Sequence, residues 1–337
     1  MHRLISILFA VTACASAAGE PDLGPPPART PVLPDGALNP RLLRRFPALN
    51  VPAAATGAAA AQIELGKQLF FDRRLSRNAD TSCSSCHPLD RGGVDHRMMS
   101  IGTAGRVGAR NAPTVYNSAR QVAQFWDGRA ATPEEQARGP LTCEREMAFT
   151  PAELVARLRA IPGYSAAFAR AFPEQPFDFD DVAAALAAFE RTLVTPARWD
   201  RYLRGDRTAL STAEIRGARV FADVGCVQCH TGELLGGAMF QKVGGQLAWP
   251  NQRDQGRYEV THLAADRMVF KVPSLRNVAV TAPFFHDGSV SDLGEAVRMM
   301  ARHQLGFELQ PDEVTAIVTW LGALTGEPPD VTPPALP

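Results

Sequence analysis

Two strings of identical spacing, Cys83-Ser84-Ser85-Cys86-His87 and Cys226-Val227-Gln228-Cys229-His230, carry the residue types best suited to do chemistry in this chain. Two cysteines about one helical turn apart can form thioethers to the two vinyl groups of one porphyrin, and the adjacent histidine then faces the iron. The pattern therefore predicts two covalently attached c-type haems and redox chemistry. Covalent capture also lets a short helical segment use a large, flat, apolar cofactor as part of its core. The alternative is a single zinc ion held by the four thiolates of the two Cys-x-x-Cys knuckles. That reading makes both histidines accidental, and their identical placement favours haem.

Helices must deliver these motifs. Glu64-Leu65-Gly66-Lys67-Gln68-Leu69-Phe70 precedes the first, and Glu214 to Phe221 precedes the second, where Ser211-Thr212-Ala213-Glu214 is a capping-box start. The interval between the motifs is too long for a solenoid repeat and suits duplicated domains. Thr150-x-x-Glu153 caps a helix expected over Leu154 to Phe172, Asp180 to Leu193 is Ala-rich with apolar residues at helical spacing, and Pro311 to Leu324 forms one more helix. Strand-like alternation is scarce. An all-α protein of two tandem cytochrome c-like domains follows, each wrapped around one haem. The boundary is expected in the charged, Gly205-containing stretch from Arg198 to Leu210, giving domains over 45–204 and 205–337.

The chain has 337 residues, 45% of them apolar, and Lys plus Arg equals Asp plus Glu at 35 each. No overall basic field exists to draw in nucleic acid, whereas a small redox partner can still dock through a local patch. Met1-His2-Arg3 followed by Leu4 to Ala13 reads as an export signal over 1–17, its apolar run too short to span a bilayer. Attachment of c-type haem outside the cytoplasmic membrane fits export to the periplasm. Val11-Thr12-Ala13-Cys14 resembles a lipobox, so Cys14 is a candidate lipid anchor, while Ala15-Ser16-Ala17 serves ordinary cleavage equally well. Residues 18–44, rich in proline, read as an extended linker. Cys14 aside, the cysteines are the two haem pairs and Cys143, which leaves no disulfide framework.

With these residues assembled, the chain resembles the bacterial di-haem cytochrome c peroxidase and MauG family over nearly all of its mature length. Beyond the haem motifs, the strings that carry the resemblance are Arg110-Asn111-Ala112-Pro113-Thr114, Phe125-Trp126-Asp127-Gly128-Arg129, Glu135-Gln136 with Gly139-Pro140, Glu146-Met147, Phe270 to Asn277, and Thr281-Ala282-Pro283-Phe284-Phe285-His286-Asp287-Gly288. The resemblance implies that hydrogen peroxide reacts at the first haem, on Cys83, Cys86 and His87. The second, on Cys226, Cys229 and His230, relays electrons at higher potential. Met300, four residues before Gln304-Leu305-Gly306, matches the family's axial methionine, a soft ligand that raises the potential. On a helix its neighbour Met299 points about 100° away. Glu146 matches the distal acid–base carboxylate that moves a proton between the peroxide oxygens. Gln136 matches the distal amide, Pro140 lines the same pocket, and Trp126 matches the tryptophan between the haems. A calcium ion between the domains is also implied, with Asn111 as side-chain ligand and Thr281 and Pro283 as carbonyl ligands. Arg276 is expected either to neutralise a haem propionate or to pair at the surface, and His286 to make a structural hydrogen bond near a haem edge. His262 and His303 have no assigned role.

One departure matters. Many of these peroxidases close the first haem with the histidine of a Ser-Ile-Gly-His loop, whereas here Ser100-Ile101-Gly102 is followed by Thr103, which has no imidazole. A first haem that is open or water-bound even when oxidised is expected, with His96 in the same loop as the alternative closing ligand. Two functions follow. The first is a peroxidase reducing hydrogen peroxide to water with electrons from a small cytochrome c or cupredoxin, which Met300 favours. The second is a MauG-like enzyme oxidising Trp or Tyr side chains of a partner protein. Thr103 favours it, although MauG carries a tyrosine ligand where Met300 stands. A non-catalytic electron carrier needs a sealed first haem, and His96 is the only route to one. A homodimer is implied by the family. Cys143, between Pro140 and Glu146, reads as a buried inert thiol that peroxide could oxidise if it lies near the iron.

Overall fold

The computed structural model describes residues 23, 37–174, 176–329 and 331–337. The export segment, Cys14 and, residue 23 apart, the proline-rich stretch through residue 36 lie outside the described residues. In chain order the α-helices are α1 (Pro40–Leu43), α2 (Gly57–Phe71), α3 (Cys83–Cys86), α4 (Pro133–Thr142), α5 (Pro151–Arg159), α6 (Pro162–Ala171), α7 (Phe179–Glu190), α8 (Arg198–Leu203), α9 (Thr212–Asp223), α10 (Tyr258–Thr261), α11 (Leu293–Met300) and α12 (Pro311–Gly322). Two short strands, β1 (Phe240–Lys242) and β2 (Val269–Lys271), pair antiparallel with Gln241 opposite Phe270.

The helices expected before each cysteine motif form as α2 and α9, the latter from the Ser211–Glu214 capping box. Each crosses the helix that closes its own unit, α2 on α7 and α9 on α12. Leu65, Leu69 and Phe70 meet Leu186 and Phe189 in one core, and Phe221 meets Ile317, Trp320 and Leu321 in a second. The crossings are equivalent down to one residue. A Cβ on Gly66 would lie 1.9 Å from the Ala185 carbonyl oxygen, and one on Gly217 would lie 1.9 Å from that of Ala316. These helices touch backbone to backbone, so a methyl group forces them apart, and overpacking of this kind costs about 1–3 kcal/mol. Gly66→Ala and Gly217→Ala are each expected to lower the Tm. Gly322→Ala, where an added Cβ meets nothing within 4 Å, serves as the control in the same thermal-unfolding experiment.

Three expectations are corrected. The helix expected over Leu154 to Phe172 is two helices, α5 and α6, broken at Ile161 because Pro162 lacks an N–H and holds the preceding residue in extended backbone. The linker expected to run to residue 44 ends earlier: Asn39 caps α1, Pro40 starts it, and Leu38 and Phe46 are buried in the second core. Nor do the two cores divide the chain at residue 204. Trp199 and Tyr202 of α8 belong to the second core, while the C-terminal tail returns to the first, packing Val331 on it and giving the Pro337 carbonyl to Arg74 at 2.9 Å.

Candidate functional site

Each Cys-x-x-Cys-His motif is a single tight turn. α3 carries Cys83 and Cys86, and a 3₁₀ turn carries Cys226 through Gln228. The thiols are free and half-buried, and desolvation pushes Cys86 up to about 11 and Cys226 up to about 12. Among the described residues no three His, Cys, Asp or Glu side chains come together to hold a metal ion, which removes the four-thiolate zinc alternative. The histidines are oriented alike. His87 Nδ1 lies 3.1 Å from the Gly93 carbonyl oxygen and His230 Nδ1 lies 2.9 Å from that of Leu235. Burial lowers the pKa of both rings and keeps them neutral. A carbonyl can only accept, so Nδ1 carries the proton and the Nε2 lone pair is free for a metal. Paired free thiols beside a histidine fixed in this tautomer are what a covalently held haem requires.

The second motif opens into an apolar cavity lined by His230, Phe221, Ile317, Leu321 and Met300. Met300 ends α11 and a π-helical turn, Ala301–Leu305, follows it directly. Such turns recur at functional sites because they rotate the side chains beside them out of α-helical register. Gln304 in that turn accepts the Gly244 N–H at 3.1 Å, clamping the neighbouring loop. Met299, the neighbour of Met300 in the chain, does not line the cavity.

Around the first motif the carboxyl group is Glu146. It follows α4, the helix that bears Gln136, Gly139 and Pro140, through a turn in which the Glu146 N–H donates to the Cys143 carbonyl at 2.9 Å. Burial raises its pKa above the ordinary carboxylate range, and a hydrogen bond from the Cys143 thiol and the nearby Arg129 charge pull part of that back. The Ser100–Val107 loop packs on its backbone. Thr103 N–H donates to the Glu146 carbonyl at 2.7 Å, and a Cβ on Gly102 would lie 2.6 Å from Glu146 Cα. The Thr103 hydroxyl is spent on Asp80 at 2.7 Å. His96 sits exposed with its ring nitrogens 2.8 and 3.1 Å from the Ala282 and Arg91 carbonyl oxygens, both engaged with backbone.

A second carboxyl group near this motif had no sequence signal. Glu190 ends α7, is 9% exposed, and lies close enough to Cys83 to raise that thiol's pKa. Burial pushes Glu190 up to about 8, partly offset by Arg191. A folded-state pKa above the unfolded value contributes stability below about pH 4.5 that is lost as pH rises through about 8. Glu190→Gln is therefore expected to leave the stability nearly unchanged at pH 5 and to raise it at pH 8 by on the order of 2–4 kcal/mol. Thermal unfolding at the two pH values checks it.

After each motif lies a second level of duplication that the sequence reading passed over. Residues 111–130 and 271–290 repeat one another: Asn117 and Asn277 both take left-handed backbone and start a 3₁₀ turn, and Phe125 and Phe285, like Gly128 and Gly288, share positive φ. Asp127 and Asp287 each accept the N–H two residues on, and bridges join Gln124 to Ala130 and Phe284 to Val290. The signal was present in Phe-Trp-Asp-Gly and Phe-His-Asp-Gly. The two copies exchange hydrogen bonds, Asn111 N–H to the His286 carbonyl at 2.9 Å and Lys271 N–H to the Trp126 carbonyl at 2.8 Å. Trp126 Nε1 donates to the Asn111 carbonyl at 2.9 Å, and its ring lies edge-on to His286.

This repeat brings Trp126, Asn111, Thr281 and Pro283 to the cavity of His230 and Met300, and not Glu146, Gln136 or His87. Asn111 Nδ2 donates to the Arg97 carbonyl at 2.9 Å, which turns its Oδ1 toward other partners. Arg276 also lines the cavity, but it is 1% exposed and its guanidinium is engaged with Asp200 through two N–H groups and with the Glu233 carbonyl. The alternative of surface pairing is thereby corrected: its ion pair is buried.

The sequence profile of the di-haem cytochrome c peroxidase family matches residues 60–208. A cytochrome c551 peroxidase of Nitrosomonas europaea is 45% identical over 84% of this chain and 86% of its own length. The methylamine utilization protein MauG of Methylophilus methylotrophus is 36% identical over 81% of this chain and 85% of its own. Among solved structures, a MauG-like protein associated with microbial copper homeostasis superposes with a TM-score of 0.73 at 31% identity, covering 93% of this chain and 96% of that one. The diheme peroxidase BthA from Burkholderia thailandensis, 22% identical with a TM-score of 0.67, shares the fold. With its paired Cys-x-x-Cys-His turns and duplicated helix crossings, the chain belongs to the di-haem cytochrome c peroxidase family.

Proposed function

We propose that this protein is a periplasmic cytochrome c peroxidase that reduces hydrogen peroxide to two waters with two electrons from a small cytochrome c or cupredoxin. One observation supports the choice within the family: Met300, a thioether, lines the same cavity as His230. Cys83 and Cys86 would hold one haem c and Cys226 and Cys229 the other. Iron held by His87 would supply the chemistry that cleaves the O–O bond, and iron held by His230 and Met300 would store and relay electrons at raised potential. Glu146, partly buried and protonated more readily than an ordinary carboxyl, takes the proton from one peroxide oxygen and returns it to the other. Gln136 and Pro140 on α4 shape the space beside it, and Trp126 offers a π system between the two sites. Asn111 Oδ1 with the Thr281 and Pro283 carbonyls, water completing the shell, suits a calcium ion. No helix among the described residues is long and apolar enough to cross a membrane. Periplasmic residence rests on the export signal and on where c-type haem is attached, and an anchor at Cys14 and a homodimer complete the proposal.

A MauG-like activity is the second reading, and Thr103, tied to Asp80 where a closing histidine would stand, favours it. The test is EPR and optical spectroscopy of the fully oxidised holoprotein, then one equivalent of peroxide with and without prior half-reduction, then turnover with a reduced small cytochrome c. A high-spin first haem that consumes peroxide at once, with oxidation of the cytochrome, is expected. Consumption of peroxide without oxidation of any small donor would overturn the peroxidase reading. Two low-spin haems that react only after half-reduction would overturn the open site.

A further inference from the structure

Resting on the haem reading above, the cavity of His230 and Met300 contains one ionised group that the proposed reaction leaves without a task. Lys271 is 7% exposed and lines this cavity. The partner of its Nζ is Gln121 Oε1, a neutral amide oxygen, and no carboxylate among the described residues lies within ion-pair distance. A buried ammonium without a counter-charge is costly, and burial pushes Lys271 down to about 8. The backbone gives it no way out: its N–H is held by the Trp126 carbonyl and its Cα is paired with Phe240 in the β-ribbon. The loop itself does not demand a cation here, because the equivalent residue of the other repeat is the neutral Asn111. The remaining ionisable groups of the cavity do not neutralise it. Arg276 is paired with Asp200, and Lys242, exposed at the mouth, is itself a cation.

We propose that Lys271, held in place by Gln121, forms the ion pair with a carboxylate of the porphyrin attached at Cys226 and Cys229, the role the sequence suggested for Arg276. A fixed positive charge at that carboxylate stabilises the added electron, so Lys271 sets the potential of this haem as well as binding it.

The test is potentiometric titration of purified holoprotein, following the two haems by optical and EPR signals, for the wild type, K271Q and K271R. K271Q is expected to shift the reduction equilibrium of the Met300 haem at least tenfold toward the oxidised form, 59 mV for a one-electron couple. K271R should stay within that margin of the wild type. The wild-type potential should be flat from pH 7 to 9, because a lysine paired with a carboxylate stays charged there. An unchanged potential in K271Q, or a wild-type potential that falls through pH 8 as an unpaired lysine would make it, overturns the assignment. The wild-type titration needs no variant and decides the matter if K271Q does not fold. Fewer than two covalent haems per wild-type chain, read as the pyridine haemochrome, would instead overturn the haem reading.

Discussion

Glu146→Gln is expected to lower peroxide turnover by about 10²–10⁴-fold, the usual contribution of a positioned acid–base group, while haem content and the oxidised spectrum stay as in the wild type. Glutamine keeps the shape and polarity of the side chain but cannot accept and return a proton at the pH of the assay. The environment is arranged around this one group. Burial raises its pKa, Arg129 and the Cys143 thiol temper that rise, and Gly102 and Thr103 hold its backbone from the other side. The wild-type pH profile should accordingly show an acid–base limb above the ordinary glutamate value of about 4.3, and Glu146→Gln should lose that limb. Stopped-flow peroxide reaction and steady-state oxidation of a reduced small cytochrome c provide the two readings. A variant with full turnover would remove Glu146 from the chemistry.

Asp200→Ala is expected to destabilise the protein by roughly 3–5 kcal/mol, the penalty for leaving a buried charge alone. Asp200 is 0% exposed and Arg276 1%. The carboxylate accepts from the Leu49 N–H at 2.7 Å and the Ala197 N–H at 2.7 Å as well as from both terminal nitrogens of Arg276. It therefore ties together the segment before α2, the start of α8 and the loop after β2, three pieces far apart in the chain. Asp200→Ala strands a guanidinium and the Leu49 N–H together. Adding Arg276→Met should recover much of the loss, since an apolar pair of similar volume is often as stable as a buried ion pair. Chemical denaturation of the two single variants and the double variant completes the cycle. Equal stability of Asp200→Ala and the wild type would show that the pair contributes nothing.

What could be read from the chain was whatever depends on residues adjacent in sequence. The capping boxes at Ser211 and Thr150 start helices where expected, because a cap and its N–H partners lie within four residues. The break at Pro162 obeys an equally local rule and was missed only because the apolar spacing runs through it. Glu190, by contrast, had no signal. It is a charged residue at the end of an Ala-rich helix, and only the packing of α7 against α2 and α4 buries it.

By itself the sequence determined the cofactor chemistry and the duplicated, helical fold, because thioether formation, iron ligation and helix capping need particular residue types at fixed short spacings. The tertiary structure alone put Met300, and not Met299, on the cavity of His230, committed Arg276 to Asp200 and left Lys271 without a carboxylate. Each of those outcomes depends on which charged or apolar groups from distant segments share one low-dielectric space, where an ion's partner outweighs its own chemistry. Sequence spacing carries no record of that neighbourhood.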